Sequence, residues 1–145
     1  MRGIRYHEYC EPADVLRLEE TLIVVPNAGH AAARVHACGL NPADWELCRG
    51  LSAVKLPCGI GLDVPGVVVA VGDGLSDIAV GNAVFGPSDY MNYPTEVAAD
   101  YAILYHWDWL PDGLSHVDAA ALPMVSKSQR TIRNCRRTCN DWSAI

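Results

Sequence analysis

The run from Pro65 to Val71, Pro-Gly-Val-Val-Val-Ala-Val, constrains the fold of this chain more than any other stretch. Four of its seven residues are valine, whose stiff β-branched side chain suits a pleated strand better than a helix. The turn Gly72-Asp73-Gly74 closes the run. The stretch therefore predicts a strand within a β-rich domain.

Shorter strands are predicted on both sides of this run. Residues 3–6 and 15–20 nearly alternate apolar with polar side chains, and a Glu-Pro-Ala-Asp turn separates them, so they form an opening pair of strands. Further strands are predicted over residues 31–38, 83–86 and 98–105. The first of these contains three successive alanines, which are poor strand formers.

Two short helices are also predicted. Asn41 can cap the first helix, Pro42 suits its first turn, and Gly50 ends it. The second helix runs from Ser115 to Leu122 and ends at Pro123.

Length and composition predict one domain with a short tail. The chain has 145 residues, of which 50% are hydrophobic and 19% charged, and a chain of this size can bury a core without disulfides. No apolar run approaches the roughly 20 residues that a membrane span needs, and the first residues do not form the apolar centre of a signal peptide. We therefore expect a cytoplasmic protein with no membrane partner.

Charge is unevenly distributed along the chain. Residues 1–125 hold 6 basic and 16 acidic side chains, whereas residues 126–145 hold 5 basic and 1 acidic. The acidic body repels phosphates, so we expect no nucleic-acid partner. Four arginines of the tail (Arg130, Arg133, Arg136, Arg137) could share one helical face and bind phosphate, but no aromatic residues are interleaved with them. The favoured prediction for residues 125–145 is an atypical, poorly ordered basic tail.

The six cysteines stand singly along the chain (Cys10, Cys38, Cys48, Cys58, Cys135, Cys139). Zinc ligands usually come as close pairs, and Cys135 and Cys139 together supply only two. The pattern favours buried free thiols over disulfides or a metal site.

Several motifs, in order and spacing, carry a resemblance to a known family. They are MRGIRYHEY, DVLRLEE, RVHACGLNPADWELCRG, GLDVPGVVVAVGDGLSD, VGNAVFG, ADYAIL and LPDGLSHVDAAALPM. Residues 1–124 thereby resemble the N-terminal half of the medium-chain dehydrogenase/reductase superfamily, and most closely its zinc-free quinone oxidoreductase branch. The resemblance implies a mainly β, GroES-like fold, which is a partly open β-barrel with short helices and forms one wall of an active-site cleft.

The resemblance also implies that no zinc is bound. Zinc-dependent members place a cysteine about where Asn41 stands and a His-Glu pair about where Leu62 and Asp63 stand. A leucine cannot ligate a metal, and a catalytic zinc needs some three protein ligands. The four-cysteine lobe of those members has no counterpart here either, so we expect no metal.

The chemistry implied by the resemblance is hydride transfer from NADPH to a quinone or to the β-carbon of an enone. In that setting Asn41 could bind the ribose or nicotinamide edge of the cofactor, or it could serve only as a helix cap. Asp44 could face the substrate cleft or bond within its own loop. Trp45 could be a substrate platform or a core residue. Asp63 is expected to hold a turn or a local hydrogen bond.

Two tyrosines of the loop 87–94 complete the candidate site. Tyr90 could donate a proton in catalysis, and Tyr93 could pack over a bound quinone. The alternative for both is a solvent-facing loop position.

A dinucleotide-binding motif is missing from the sequence. Gly59-x-Gly61 would need a third glycine where Val64 stands, and Gly72-x-Gly74 would need one at Asp77. We therefore expect a truncated catalytic half that is inactive alone and does not bind NADPH tightly. Two alternatives remain open: a half-enzyme that pairs with a separate cofactor domain, and a stand-alone binding module, for example a homodimer.

Overall fold

The computed structural model describes residues 1–23, 25–88 and 97–123. Within these ranges the chain forms two sheets, which do not close into a barrel, and three short helices. The elements are β1 (Arg2–Tyr6), α1 (Pro12–Val15), β2 (Arg17–Glu20), β3 (Ala31–Val35), α2 (Pro42–Cys48), β4 (Cys58–Gly59), β5 (Asp63–Val71), β6 (Ala83–Pro87), β7 (Tyr101–Leu104), β8 (Asp108–Trp109) and α3 (His116–Ala119). The predicted mainly β, GroES-like class with short helices is confirmed.

The first sheet has three strands in the order β2-β1-β4. β1 pairs antiparallel with both neighbours, so the predicted pairing of the two opening strands is confirmed. β2 begins at Arg17 rather than at Val15, because residues 12–15 form one helical turn instead of the predicted open turn. Pro12 favours this turn, since the first helical position needs no N–H donor.

The second sheet has five antiparallel strands in the order β7-β3-β5-β6-β8. β5 contains the valine run and pairs with both β3 and β6, so the strand predicted there is confirmed. β3 ends at Val35, three residues earlier than predicted. Its alanines are tolerated because Ala31, Ala32 and Ala33 lie buried between β5 and β7, where small side chains fit.

Two apolar clusters form the core. The larger lies on the five-stranded sheet and the smaller lies between the three-stranded sheet and α1 and α2. A fully buried valine, leucine or isoleucine side chain stabilises the fold by about 1.5–3 kcal/mol. The larger cluster consists of Ala31, Ala33, Val64, Val68, Ile78, Val84, Val97, Ala102 and Leu104, and the smaller of Tyr6, Val15, Cys48, Cys58 and Ile60.

The two predicted helices are present. Asn41 is the N-cap of α2, and Gly50 follows the helix with φ +87°. α3 is shorter than predicted and is capped by Ser115, whose Oγ accepts the N–H of Asp118 at 3.1 Å. The end of α3 lies against the loop before α2. The carbonyl oxygen of Ala120 is so close to Gly39 that it occupies the space that a side chain at Gly39 would need.

Some predictions fall outside the described residues. These are the roles of Tyr90 and Tyr93, the domain boundary at residue 124, the nature of the 125–145 tail, and the state of Cys135 and Cys139. They stay predictions.

Candidate functional site

One side-chain hydrogen bond joins the N-terminus of α2 to the first residue of β5. Asn41 Nδ2 donates to Asp63 Oδ2 at 2.9 Å, and the N–H of Gly39 donates to the carbonyl oxygen of Asp63 at 3.2 Å. Asp63 is 1% exposed, whereas Asn41 is only partly buried. The buried carboxylate therefore orients the side-chain amide of a residue that is itself only partly buried. Asp63 was predicted to hold a turn or a local hydrogen bond, but its bond to Asn41 joins residues 22 positions apart in the sequence.

Asp44 accepts two backbone hydrogen bonds that fix the same loop. Its Oδ2 accepts the N–H of Asn41 at 2.6 Å and its Oδ1 accepts the N–H of Gly61 at 2.6 Å. Burial raises the pKa of this carboxyl group, and the bonds from the two N–H groups oppose that rise. Asp44 is 3% exposed, and both of its oxygens bond within the protein. The geometry therefore shows a structural role for Asp44. That Asp44 also faces the substrate cleft stays a prediction.

We call Asn41, Asp44, Gly61 and Asp63 the amide cluster. Cys38 borders this cluster, although the sequence analysis did not place it there. Burial, with the nearby carboxylates of Asp44 and Asp63, raises the pKa of its thiol to about 12. The thiol therefore stays protonated and unreactive at neutral pH. No local pattern could have indicated this contact, because the residues around Cys38 come from α2, β5 and the segment before β5.

Apolar side chains are exposed on α2, next to its N-cap, and on or after α3. Trp45 is 40% exposed, so of its two alternatives the core position is excluded, and the role of substrate platform stays a prediction. α2 instead buries Leu47 and Cys48, which lie on another side of the helix. Three more apolar residues are exposed, one beside Asn41 and two on or after α3: Leu40 at 57%, Val117 at 71% and Leu122 at 38%.

Two histidines connect the end of β3 to α3. The rings of His36 and His116 stack with their centroids 4.4 Å apart and an interplanar angle of 20°. Nε2 of His116 is buried and has no hydrogen-bond partner among the described residues. Burial, with the positive charge that His36 can carry, lowers the pKa of His116. The two histidines are 80 positions apart in the sequence, so no local pattern predicts their contact.

We expect His116 to make the chain less stable in mild acid. The pKa of His116 in the folded state lies below its unfolded value of about 6.5. The folded state therefore takes up a proton less readily than the unfolded state, so the free energy of unfolding is greatest above about pH 6.5 and falls as the pH is lowered. His116→Phe keeps an aromatic ring against His36 but cannot take up a proton. Thermal unfolding between about pH 8 and pH 5 should show a larger fall in Tm for the wild type than for the variant. Equal falls would contradict this prediction.

Comparison with known proteins identifies the fold family. Residues 27–103 match the family described as the alcohol dehydrogenase GroES-like domain, which is more than half of the chain. The chain belongs to this family. Its relatives place it among the quinone oxidoreductase-like proteins of the medium-chain dehydrogenase/reductase superfamily, as the sequence motifs predicted.

The human quinone oxidoreductase is 35% identical to this GroES-like chain over 129 residues, which are 84% of the chain and 37% of the human protein. The quinone oxidoreductase of Coxiella burnetii superposes with a TM-score of 0.78 at 27% identity, over 85% of this chain and 41% of that one. The Escherichia coli quinone oxidoreductase, solved in complex with NADPH, superposes with a TM-score of 0.70 at 25% identity, over 83% of this chain and 36% of that one.

The chain thus spans little more than a third of the length of the human relative that it matches. Among the described residues of this GroES-like chain, no helix is long and apolar enough to cross a bilayer. The same residues bring together no group of three or more histidine, cysteine, aspartate or glutamate side chains that could hold a metal ion.

Proposed function

We propose that this chain is the GroES-like catalytic half of a zinc-independent, NADPH-dependent oxidoreductase that reduces a quinone or an enone. The observation that carries the proposal is the amide of Asn41, partly exposed and held by buried Asp63 at 2.9 Å. A group fixed in this way can orient a cofactor or substrate without the cost of ordering it during the reaction.

The amide suits NADPH chemically. The bond to Asp63 uses one of the two N–H groups on Nδ2, so the second N–H can donate to a ribose hydroxyl or to the carboxamide oxygen of a nicotinamide. When bound, NADPH supplies the hydride. The residues of the amide cluster would hold the reacting rings in position and limit the access of water to them.

The titratable groups around Asn41 indicate that this part of the site orients a ligand rather than transferring a proton. Asp44 is buried with both oxygens bonded, and Cys38 has a pKa of about 12, so neither exchanges a proton readily at neutral pH. We propose that any proton that must follow the hydride comes from Tyr90, with Tyr93 and Trp45 bordering the substrate and Asp44 holding the loop beneath it.

We propose that this chain binds NADPH only weakly when alone. Its 145 residues include no Gly-x-Gly-x-x-Gly turn with which to hold the pyrophosphate at the N-terminus of a helix. Isothermal titration of NADPH into the chain should give no micromolar binding. Micromolar binding would show that the chain carries a nucleotide site of its own and would contradict the proposal of a catalytic half.

A chimaera tests the catalytic role directly. Residues 1–123 would be joined to the NADPH-binding half of the Escherichia coli quinone oxidoreductase, and NADPH oxidation would be followed with a quinone and with an enone. We expect turnover, and we expect Asn41→Ala to lower kcat/KM about 10- to 100-fold, because one orienting bond contributes on the order of 1.4–2.8 kcal/mol.

Asn82→Ala is the control for this experiment. Asn82 accepts the N–H of Ala79 at 2.6 Å in a turn outside the amide cluster, so its loss can affect stability but not the site. A chimaera that binds NADPH but reduces neither acceptor would refute the proposed reaction. Full activity of Asn41→Ala would refute the role of the amide.

A second candidate is a half-enzyme that works only when paired with a separate cofactor domain. The exposed Leu40, Val117 and Leu122 favour it, because exposed large apolar side chains can mark a surface that another unit covers. Affinity capture with the intact chain, followed by mass spectrometry, should then recover a protein with a dinucleotide-binding motif.

We further propose that this chain acts in the cytoplasm, which is consistent with the four described cysteines all being free thiols.

A further inference from the structure

The outer edge of β2 carries backbone hydrogen-bonding groups that no other described residue uses. β2 is the edge strand of the three-stranded sheet, and Leu18 lies opposite Ile4 of β1. The N–H of Ile4 donates to Ala98 on the far side of β1, at 2.9 Å, so Ile4 and Leu18 form a pair without hydrogen bonds between them. The N–H and C=O of Leu18 therefore point away from β1, towards the free edge, and those of Glu20 follow in the same direction.

The side chains along this edge are unusual for an exposed strand. Leu18 is 71% exposed, and it is followed by exposed Leu22 at 88% and Ile23 at 66%. Arg17 lies opposite Arg5, so two positive side chains share one face of the β1–β2 pair. The guanidinium of Arg17 bonds to the carbonyl oxygens of Leu16 and Asp14, at 2.8 and 2.6 Å, and to no carboxylate among the described residues.

We propose that β2 pairs antiparallel with β2 of a second copy of this chain, centred on Leu18. In this register the two Leu18 residues exchange both backbone hydrogen bonds across a twofold axis, and Glu20 donates to Leu16 of the other copy. Each Arg17 lies opposite Glu19 of the other copy, which forms two opposite-charge pairs. On the other face, the two Leu18 side chains join the two Ile4 side chains in one apolar row.

Charge selects this register over its neighbours. Backbone hydrogen bonds between the two β2 strands form only when residues whose N–H and C=O groups point away from β1 lie opposite each other. In such registers the twofold axis passes through a residue, so the centre of the pairing moves in steps of one residue. A centre on Arg17, Glu19 or Glu20 places that side chain directly opposite its own copy, which sets like charges against each other. The centre on Leu18 avoids like-charge pairs and forms two favourable ones. Glu19 also contacts His7 at 2.8 Å, and its carboxylate retains acceptor sites for Arg17 of the other copy.

Charge reversal with rescue tests the proposal on the intact 145-residue chain. By sedimentation velocity, the wild type should form a concentration-dependent dimer at about 100 μM, since an interface of this small size is expected to be weak. Arg17→Glu and Glu19→Arg should each raise the dimer dissociation constant at least about tenfold, because each turns two opposite-charge pairs into like-charge pairs. The double variant Arg17→Glu/Glu19→Arg restores both pairs and should restore the dimer.

A second variant tests the backbone ladder separately. Leu18→Pro removes an N–H that points away from β1, so the β1–β2 pair remains and the circular dichroism spectrum should not change. The dimer should be lost. A wild type that stays monomeric at about 100 μM would refute the proposal. A dimer that survives the single charge reversals, or that the double variant fails to restore, would refute it equally, because the two copies would then meet through another surface.

Discussion

Gly61→Ala is expected to lower the free energy of unfolding by about 2–5 kcal/mol, a large part of the stability of a small domain. Gly61 has φ +91°, which alanine adopts only with strain. A Cβ at this position would also overlap the sulfur of Cys38 and lie 3.0 Å from Cβ of Val97. Any shift that relieves the overlap would move the N–H of Gly61, which donates to Asp44.

Gly74→Ala separates the overlap from the backbone strain. Gly74 has φ +83°, close to that of Gly61, but a Cβ there would meet nothing within 4 Å. We expect this control to lose only about 1–2 kcal/mol, the cost of the left-handed conformation alone. Urea denaturation of both variants measures the difference. If the two midpoints shift equally, the close packing of Cys38 against Gly61 contributes nothing to stability.

The fold was predictable wherever the signal was local. The valines of β5 and the capping residues Asn41 and Ser115 each specify their element through neighbours in the sequence, and each was predicted correctly. β4 and β8 were missed because strands of two residues are too short to show any alternation. The three alanines of β3 show the opposite case, in which tight packing between two strands outweighs low β-propensity.

The candidate site was predictable only in part, because its contacts are long-range. The role of Asn41 as a helix cap follows from residue type and position. The long-range bond of Asp63 to Asn41 does not. The bond between them spans 22 residues, and the contact of Asp44 with Gly61 spans 17. Nothing in the spacing of these residues indicates that the loop before β5 returns to the start of α2. The two alternatives for Trp45 stayed open for a similar reason, since its exposure depends on which side of α2 packs against α1.

Asp44→Ala is expected to cost about 2–5 kcal/mol of unfolding free energy. The substitution leaves the N–H groups of Asn41 and Gly61 without their acceptor. The Gly61 bond is buried and the Asn41 bond partly buried, and a buried, unsatisfied donor costs about 1–3 kcal/mol. Asp44→Asn should lose less, because the amide oxygen can still accept one of these two bonds while the amide NH₂ faces the other donor. Chemical denaturation of the three proteins should therefore rank the wild type first, Asp44→Asn second and Asp44→Ala last.

Asp118→Ala is a closely matched control within the same chain. Asp118 occupies the third position of α3 after the cap Ser115, as Asp44 does in α2 after the cap Asn41, and both bond back to the cap. Asp118 is exposed, so its removal costs only about 0.5–1 kcal/mol of capping and helix-dipole stabilisation. If Asp44→Ala costs no more than this, Asp44 is only a capping residue. A larger loss means that Asp44 joins α2 to the segment before β5, and through that segment fixes where Asn41 presents its amide.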